Sequence, residues 1–257
     1  MHPVQIKTVP CLQDNYAFVI FNQANGHAAI VDVPEAAPIS AVIDQLGATV
    51  TEVFLTHHHW DHVDGLDDLR AKHGPFKTIG AQADAHRLPD LSIQVREGDT
   101  VDLAGFPFSI LDVSGHTVGH IACHSADLMA AFTADSLMAM GCGRLFEGTP
   151  AQMWDSLQKL RALPDDTMIY SGHEYMGGNM AFAKSLGEDN HALDARAQDV
   201  KTLRLGGRPT VTSLLRIEKA TNPFLRADNP ALQAAIGMAG ADAADVFAEV
   251  RKRKDAF

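Results

Sequence analysis

The chain has 257 residues, 46% hydrophobic and 21% charged, enough to bury the core of one large domain or of one domain with a small companion. Its 32 acidic against 21 basic residues give a net charge of −11, which argues against a broad surface for nucleic acid or anionic membrane but leaves room for a local basic pocket. Three cysteines, Cys11, Cys123 and Cys142, make no disulfide framework and fit a reducing compartment. Residues 1–15 show no apolar signal segment, and no uninterrupted apolar run is long enough for a bilayer. A cytoplasmic protein, monomeric and without a membrane or nucleic-acid partner, is the expectation.

In chain order, residues 4–9 and 16–21 read as strands. Asn25-Gly26 is a hairpin turn, and His27–Asp32 is the return strand. Asp32 stands at its end, either supporting a site from behind or simply forming a turn. Pro38 opens a short helix that Gly47 ends. Thr51–Leu55 is a β-branched, apolar run and reads as a buried strand. A helix follows through Leu66–Arg70, stopping near Gly74-Pro75, and Phe76–Gly80 is the next strand. Residues 93–113 read as antiparallel strands turning at Glu97-Gly98-Asp99 and Ala104-Gly105. Ile121–His124 and Met129–Thr133 are further strands. Thr149-Pro150 caps a helix through Arg161, and Thr167–Tyr170 is a strand. Beyond Tyr175 the pattern is mainly helical, at 180–186, 191–205, 230–238 and 241–253, with Asn190, Asn229 and Asp242 as caps. The pattern change near residue 173 suggests a strand-rich domain, 1–173, and a helical one, 174–257.

The chemistry concentrates in Thr56-His57-His58-His59-Trp60-Asp61-His62, at the exit of the Thr51–Leu55 strand. His57 and His59 alternate, so an extended segment turns both imidazoles to one side. Together with Asp61 and His62 they offer four metal-type ligands, too many for one catalytic zinc, which takes about three. A two-metal site is the natural reading. His116, Asp135 and His173 share one address, a strand end followed by a turn or glycine. A sensible partition gives one ion His57, His59 and His116 and the other Asp61, His62 and His173, with Asp135 bridging. Two cations about 3.5–4 Å apart acidify a water held between them, supplying a hydroxide nucleophile at neutral pH. Asp61 is placed to accept its hydrogen bond and aim it. Cys142 as nucleophile or soft ligand is the weaker reading, because seven ligands already fill two ions. His58 should point away from its neighbours, and His120 could sit behind the ligands. His2, His27, His73, His86, His124 and His191 are expected in surface or turn roles.

These residues resemble a family. Thr56–His62, Gly115-His116-Thr117, Asp135 and Gly172-His173 resemble the metallo-β-lactamase superfamily pattern. Gly141–Thr149, Gly172-His173-Glu174-Tyr175, Asn222-Pro223-Phe224-Leu225-Arg226 and Arg251–Phe257 are similar to the hydroxyacylglutathione hydrolases, or glyoxalase II. The resemblance implies an α+β fold, a four-layer αββα sandwich with a C-terminal all-α domain. It implies hydrolysis of the thioester of S-D-lactoylglutathione to a 2-hydroxy acid and glutathione, in methylglyoxal detoxification. It also implies two divalent metal ions, zinc first with iron or manganese as alternatives, and glutathione contacts at Arg144, Phe146, Tyr175, Arg251 and Lys254. Another hydrolase of this fold, for a different thioester, lactone or phosphodiester, is the alternative, and Arg251 and Lys254 discriminate against it. The sequence departs from the family at Asp64 and Ala134, where glycine is common, at Ser136, at Val33-Pro34-Glu35, and at Phe146, which lacks a tyrosine hydroxyl.

Overall fold

The computed structural model describes residues 4–257, so His2 lies outside the described residues. The chain divides into two compact units. One comprises the residues up to Asp112 together with Val118–Phe132, and the other Val113–Thr117 together with Thr133–Phe257.

The first unit begins with β1 (Val4–Cys11), β2 (Asn15–Asn22), β3 (His27–Val31), α1 (Ala36–Leu46) and β4 (Thr49–Phe54). It continues with α2 (Trp60–Val63), α3 (Leu66–His73), β5 (Lys77–Ala81) and β6 (Ile93–Val95). The six strands form one sheet in the order β1-β2-β3-β4-β5-β6. β1, β2 and β3 pair antiparallel, and from β3 onward the pairing is parallel. β2 is buried along its whole length, as its sequence Asn-Tyr-Ala-Phe-Val-Ile-Phe-Asn requires. On one face Val19, Ile30 and Val53 pack with Ile39 and Ile43 of α1 and Leu66 and Leu69 of α3. Then come β7 (Thr100–Leu103), β8 (Phe106–Asp112), β9 (Ile121–Ser125) and β10 (Ala130–Ala134), neighbours in that order. Phe18 of β2 and Phe108 of β8 close on Phe132 of β10, with ring centroids 5.5 and 6.0 Å away. α1 opens at Ala36, two residues before Pro38. Proline in a first turn loses no helical bond, because that N–H has no partner within the helix. Gly47 ends the helix at φ 61, the left-handed cap its lack of a side chain allows.

The parallel strands set the address of the site. Asp32 follows β3, the His-rich segment follows β4, and Asp84 lies in the 3₁₀ turn Gln82–Asp84 after β5. Functional loops gather at such carboxyl ends in open sheets. Asp64, a departure from the family pattern, lies at φ −62, where glycine has no advantage. Gly65 is the position that cannot change, since a Cβ there would meet Ala36 N at 2.8 Å.

The second unit carries the hairpin β11 (Leu137–Met138) and β12 (Gly141–Cys142), α4 (Pro150–Arg161) and β13 (Met168–Ser171). It goes on through α5 (Met176–Ser185), α6 (His191–Leu205), β14 (Thr212–Leu214), α7 (Leu215–Thr221), α8 (Pro230–Ala235) and α9 (Ala243–Asp255). Thr149 Oγ1 accepts the Gln152 N–H of α4, and Asn190, Asn229 and Asp242 cap α6, α8 and α9 as the sequence suggested. The stretch beyond Tyr175 is not purely helical, and neither β14 nor α7 was expected. β14 is three residues long and pairs antiparallel with β13, Ile169 opposite Ser213. So short a strand is specified by its partner's edge, not by its own propensity. α5 starts at Met176, four residues earlier than its sequence suggests, and runs through Gly177-Gly178 despite their helix-weakening entropy.

α7 fixes the β11–β12 hairpin from below. Asn222 Nδ2 donates to Met138 O at 3.2 Å and Gly141 O at 3.0 Å. Glu218 Oε2 accepts the Met140 N–H at 3.0 Å, while its other oxygen pairs with buried Arg196. This gives Asn222-Pro223-Phe224 a structural meaning, because it holds the glycine-rich loop that ends in Arg144.

Ala134, the last residue of β10, lies at φ 39 in the left-handed region. That conformation costs a non-glycine residue roughly 1–2 kcal/mol, against roughly 0.5–1 kcal/mol of extra unfolded-state entropy for glycine. Ala134→Gly is therefore expected to stabilise the protein by about 0.5–1 kcal/mol, read as a higher urea midpoint at unchanged slope. A lower midpoint would contradict the strain.

Candidate metal centre

In the first unit the segment after β4 is held extended by backbone bonds on both sides. Leu55 N donates to Ile79 O at 2.8 Å, and Ile121 N to Thr56 O at 3.0 Å. His57 and His62 are fully buried, their ring centroids 4.2 Å apart. His57 Nε2 and His59 Nδ1 stand 3.1 Å apart. That is roughly the spacing of two nitrogens on one tetrahedral ion, given Zn–N bonds of about 2.0–2.1 Å. Asp61 Oδ2 is 4.0 Å from His62 Nε2.

Asp32 decides which imidazole nitrogen carries the proton. Its carboxylate accepts the Thr56 N–H at 2.9 Å, the Thr56 hydroxyl at 2.8 Å and His62 Nδ1–H at 2.8 Å. The Thr56 hydroxyl, committed as donor to Asp32, takes His57 Nδ1–H at 3.0 Å as acceptor. Both imidazoles are thereby fixed with Nδ1 protonated and the lone pair on Nε2, the tautomer a metal needs. Asp32 thus orients two imidazoles from behind, the first of the two roles its position allowed. Asp61 is aimed by Asn15, whose Nδ2 donates 3.0 Å bonds to its Oδ2 and to its backbone carbonyl. His58 turns to Asp84, Nδ1 to Oδ2 2.9 Å, and Asp84 in turn pairs with Arg87. The His120 ring stacks on His57 at 4.6 Å and 15°. Sequence reasoning did not single out Asn15 or Asp84. For Asp84 a signal existed, a carboxylate just past a parallel strand; for Asn15 there was none.

In the second unit Asp135 Oδ2 lies 3.4 Å from His116 Nε2 and 3.2 Å from His173 Nε2. His116 Nδ1–H donates to Arg144 O at 2.8 Å; a carbonyl only accepts, so Nε2 again holds the lone pair. Gly143 must be glycine, since a Cβ would come within 2.2 Å of Asp135 O and 2.7 Å of His116 Nδ1. His57, His59, Asp61, His62, His116, Asp135 and His173 all belong to groups of donors compact enough to hold an ion. The donors are only imidazole and carboxylate, five of the seven are buried, His57, Asp61, His62 and His116 are oriented by partners behind them, and they fit divalent cations.

The residues assigned to glutathione all lie in the second unit. Phe146 meets the His116 ring edge-on at 5.3 Å, and Tyr175 stacks on His173 at 4.8 Å and 5°; both are exposed. Arg144 is exposed. Arg251 is only 5% exposed. It donates to Cys142 O at 3.1 Å and to Asp255 at 2.7 Å, and lies on the Phe224 ring at 5.0 Å. Lys254 is half-buried, and burial, then Arg251 and Arg144, push its ammonium below the usual lysine range. Burial pushes the Cys142 thiol up to about 11 despite Arg251 beside it, so at neutral pH it is no nucleophile. No helix among the described residues is long and apolar enough to cross a membrane.

Fold and donors define a metal-binding protein of the metallo-β-lactamase type. The metallo-β-lactamase superfamily model matches residues 13–173, and the model for the hydroxyacylglutathione hydrolase C-terminus matches residues 174–257. A hydroxyacylglutathione hydrolase of Ruegeria pomeroyi is 60% identical over 99% of this chain and all of its own. One of Maricaulis maris is 45% identical over the full length of both. Among solved structures, ETHE1 from Myxococcus xanthus superposes with a TM-score of 0.69 at 24% identity, covering 96% of this chain and 90% of its own. The BLEG-1 B3 metallo-β-lactamase gives 0.67 at 18%, covering 86% and 99%. The chain belongs to the hydroxyacylglutathione hydrolase family of the metallo-β-lactamase superfamily.

Proposed function

We propose that this chain hydrolyses the thioester of S-(2-hydroxyacyl)glutathione, with S-D-lactoylglutathione as test substrate, to a 2-hydroxy acid and glutathione. One observation carries the reading. In one unit His57, His59, Asp61 and His62 gather on the segment after β4, His57 Nε2 and His59 Nδ1 3.1 Å apart, and in the other Asp135 Oδ2 faces the Nε2 atoms of His116 and His173 at 3.4 and 3.2 Å. His57, His59 and His116 would hold one divalent ion, Asp61, His62 and His173 another, and Asp135 would serve both. When bound, such a pair supplies an acidified water and a polarising charge for the thioester carbonyl. Asp61, steadied by Asn15, accepts the proton-bearing side of the attacking water and aims its lone pair at the acyl carbon. Addition there forms a C–O bond and leaves the carbonyl oxygen negative; collapse restores C=O, breaks the C–S bond and gives the 2-hydroxy acid and the thiolate. The glutathione thiolate leaves without a dedicated acid, being a good leaving group near neutral pH.

Arg144, Arg251 and Lys254 supply positive charge for the carboxylates of glutathione, against a chain of net charge −11. Tyr175 and Phe146 line the approach to His173 and His116. Zinc is the metal proposed, a cytoplasmic setting suits three buried free thiols, and a monomer is the simplest state. The test is elemental analysis of the purified protein beside loss of thioester absorbance from S-D-lactoylglutathione. About two divalent ions per chain, and a kcat/KM of at least about 10⁴ M⁻¹s⁻¹, are expected. A fully metal-loaded protein inert towards this thioester would sink the reading.

A further inference from the structure

Lys254 is held in a manner that asks for an explanation. Its ammonium lies 5.4 Å from the ring centroid of Phe182 and 5.4 Å from that of Phe257. The two rings meet edge-to-face, their centroids 5.6 Å apart. Its hydrogen bond to Gly178 O is long, at 3.4 Å. The adjacent carboxylate, Asp255, is committed to Arg251 through two bonds, at 3.0 and 2.7 Å. A lysine among other cations, partly desolvated and resting on aromatic faces, is a charge kept in place without a strong anion of its own.

The rings belong to a ladder. Phe182 is fully buried and stacks towards Phe224 at 6.1 Å; Phe224 carries the Arg251 guanidinium on its face and meets Phe247 at 5.8 Å. The inner rungs are core. Phe257 is the outer rung, 63% exposed, so changing it opens no cavity.

We propose that Phe182 and Phe257 form an aromatic slot that positions the Lys254 ammonium for a carboxylate of the glutathione thioester, with Phe257 as the positioning residue that tunes substrate affinity. The proposal rests on the reading of Lys254 as an anion-binding residue. The slot acts through cation–π attraction to the ring faces, which an aliphatic side chain of similar bulk cannot supply. It leaves the ammonium short of hydrogen-bond partners, so an incoming carboxylate meets vacant N–H donors in place of a neutralised pair.

The experiment is a double-mutant cycle in steady-state kinetics with S-D-lactoylglutathione. Phe257→Leu is expected to raise KM about two- to fivefold with kcat unchanged, the range for an exposed cation–π pair. Phe257→Trp keeps KM within about twofold of the parent, since the ring face is retained. In a Lys254→Ala background, Phe257→Leu produces no further change. A merely structural Phe257 would give the same increase in both backgrounds, and that result, or an unchanged KM in the single variant, overturns the slot. If Lys254→Ala itself keeps the parent KM, both the slot and the anion-binding reading fail. A raised KM in Lys254→Ala without any effect of Phe257→Leu removes the slot alone.

Discussion

Asp135→Ala is expected to lower kcat/KM for S-D-lactoylglutathione by at least about a thousandfold, a loss of roughly 4 kcal/mol of transition-state stabilisation. The residue is 5% exposed, and its Oδ2 faces two imidazole Nε2 atoms at 3.4 and 3.2 Å. Its backbone is pinned from both sides, Gly143 N donating to Asp135 O at 2.8 Å and Gly172 N to Ala134 O at 3.1 Å. Alanine therefore removes the carboxylate without moving the frame. What remains is His116 and His173 without the carboxylate between them, so metal content should fall together with activity. Asp135→Asn separates the effects, because it keeps the shape and one acceptor oxygen while losing the charge. It should bind metal more weakly than the parent and hydrolyse far more slowly. Elemental analysis and initial rates on the same preparations check both, and a fully active, fully loaded Asp135→Ala protein would refute the shared-ligand role.

The second large effect is expected behind the imidazoles of His57 and His62. Asp32→Ala should weaken metal binding about 10- to 100-fold, measured by competition with a chromophoric chelator. The carboxylate fixes the tautomer of His62 directly and that of His57 through the Thr56 hydroxyl. Without it His62 Nδ1–H loses this acceptor and the Thr56 hydroxyl is no longer committed as acceptor to His57. The folded state suffers as well, since Thr56 N–H and His62 Nδ1–H lose their acceptor in a fully buried place, each costing about 1–3 kcal/mol. Urea unfolding of the metal-free protein reads that second loss apart from the first. Unchanged chelator competition in Asp32→Ala would show that ring orientation is set elsewhere.

Much of this was legible in the sequence, and for local reasons. Thr51–Leu55 is β-branched and apolar, so it forms a strand, and a strand's two-residue period turns His57 and His59 to one side. Thr149-Pro150 starts α4, because a side-chain oxygen at the cap and a proline behind it satisfy and preset the first turn. β14 was not legible, for the opposite reason. Thr-Ser-Leu has no strand signature, and only the edge of β13, more than forty residues back, makes it one. The bonding of Arg251 to Cys142 O and Asp255 was equally hidden, because a run of basic residues reads alike whether its members face solvent or core.

Residue type and spacing by themselves determined the kind of chemistry, imidazoles and carboxylates at strand ends, and the local elements that carry them. Those follow from periodicity and from donor atoms, which need no partner to be read. The tertiary structure alone decided which nitrogen of each ring offers its lone pair. That choice is made by acceptors distant in sequence: Asp32 for His62 across 30 positions and Arg144 O for His116 across 28. A hydrogen bond between remote side chains leaves no trace in local pattern, so only the folded chain could reveal it.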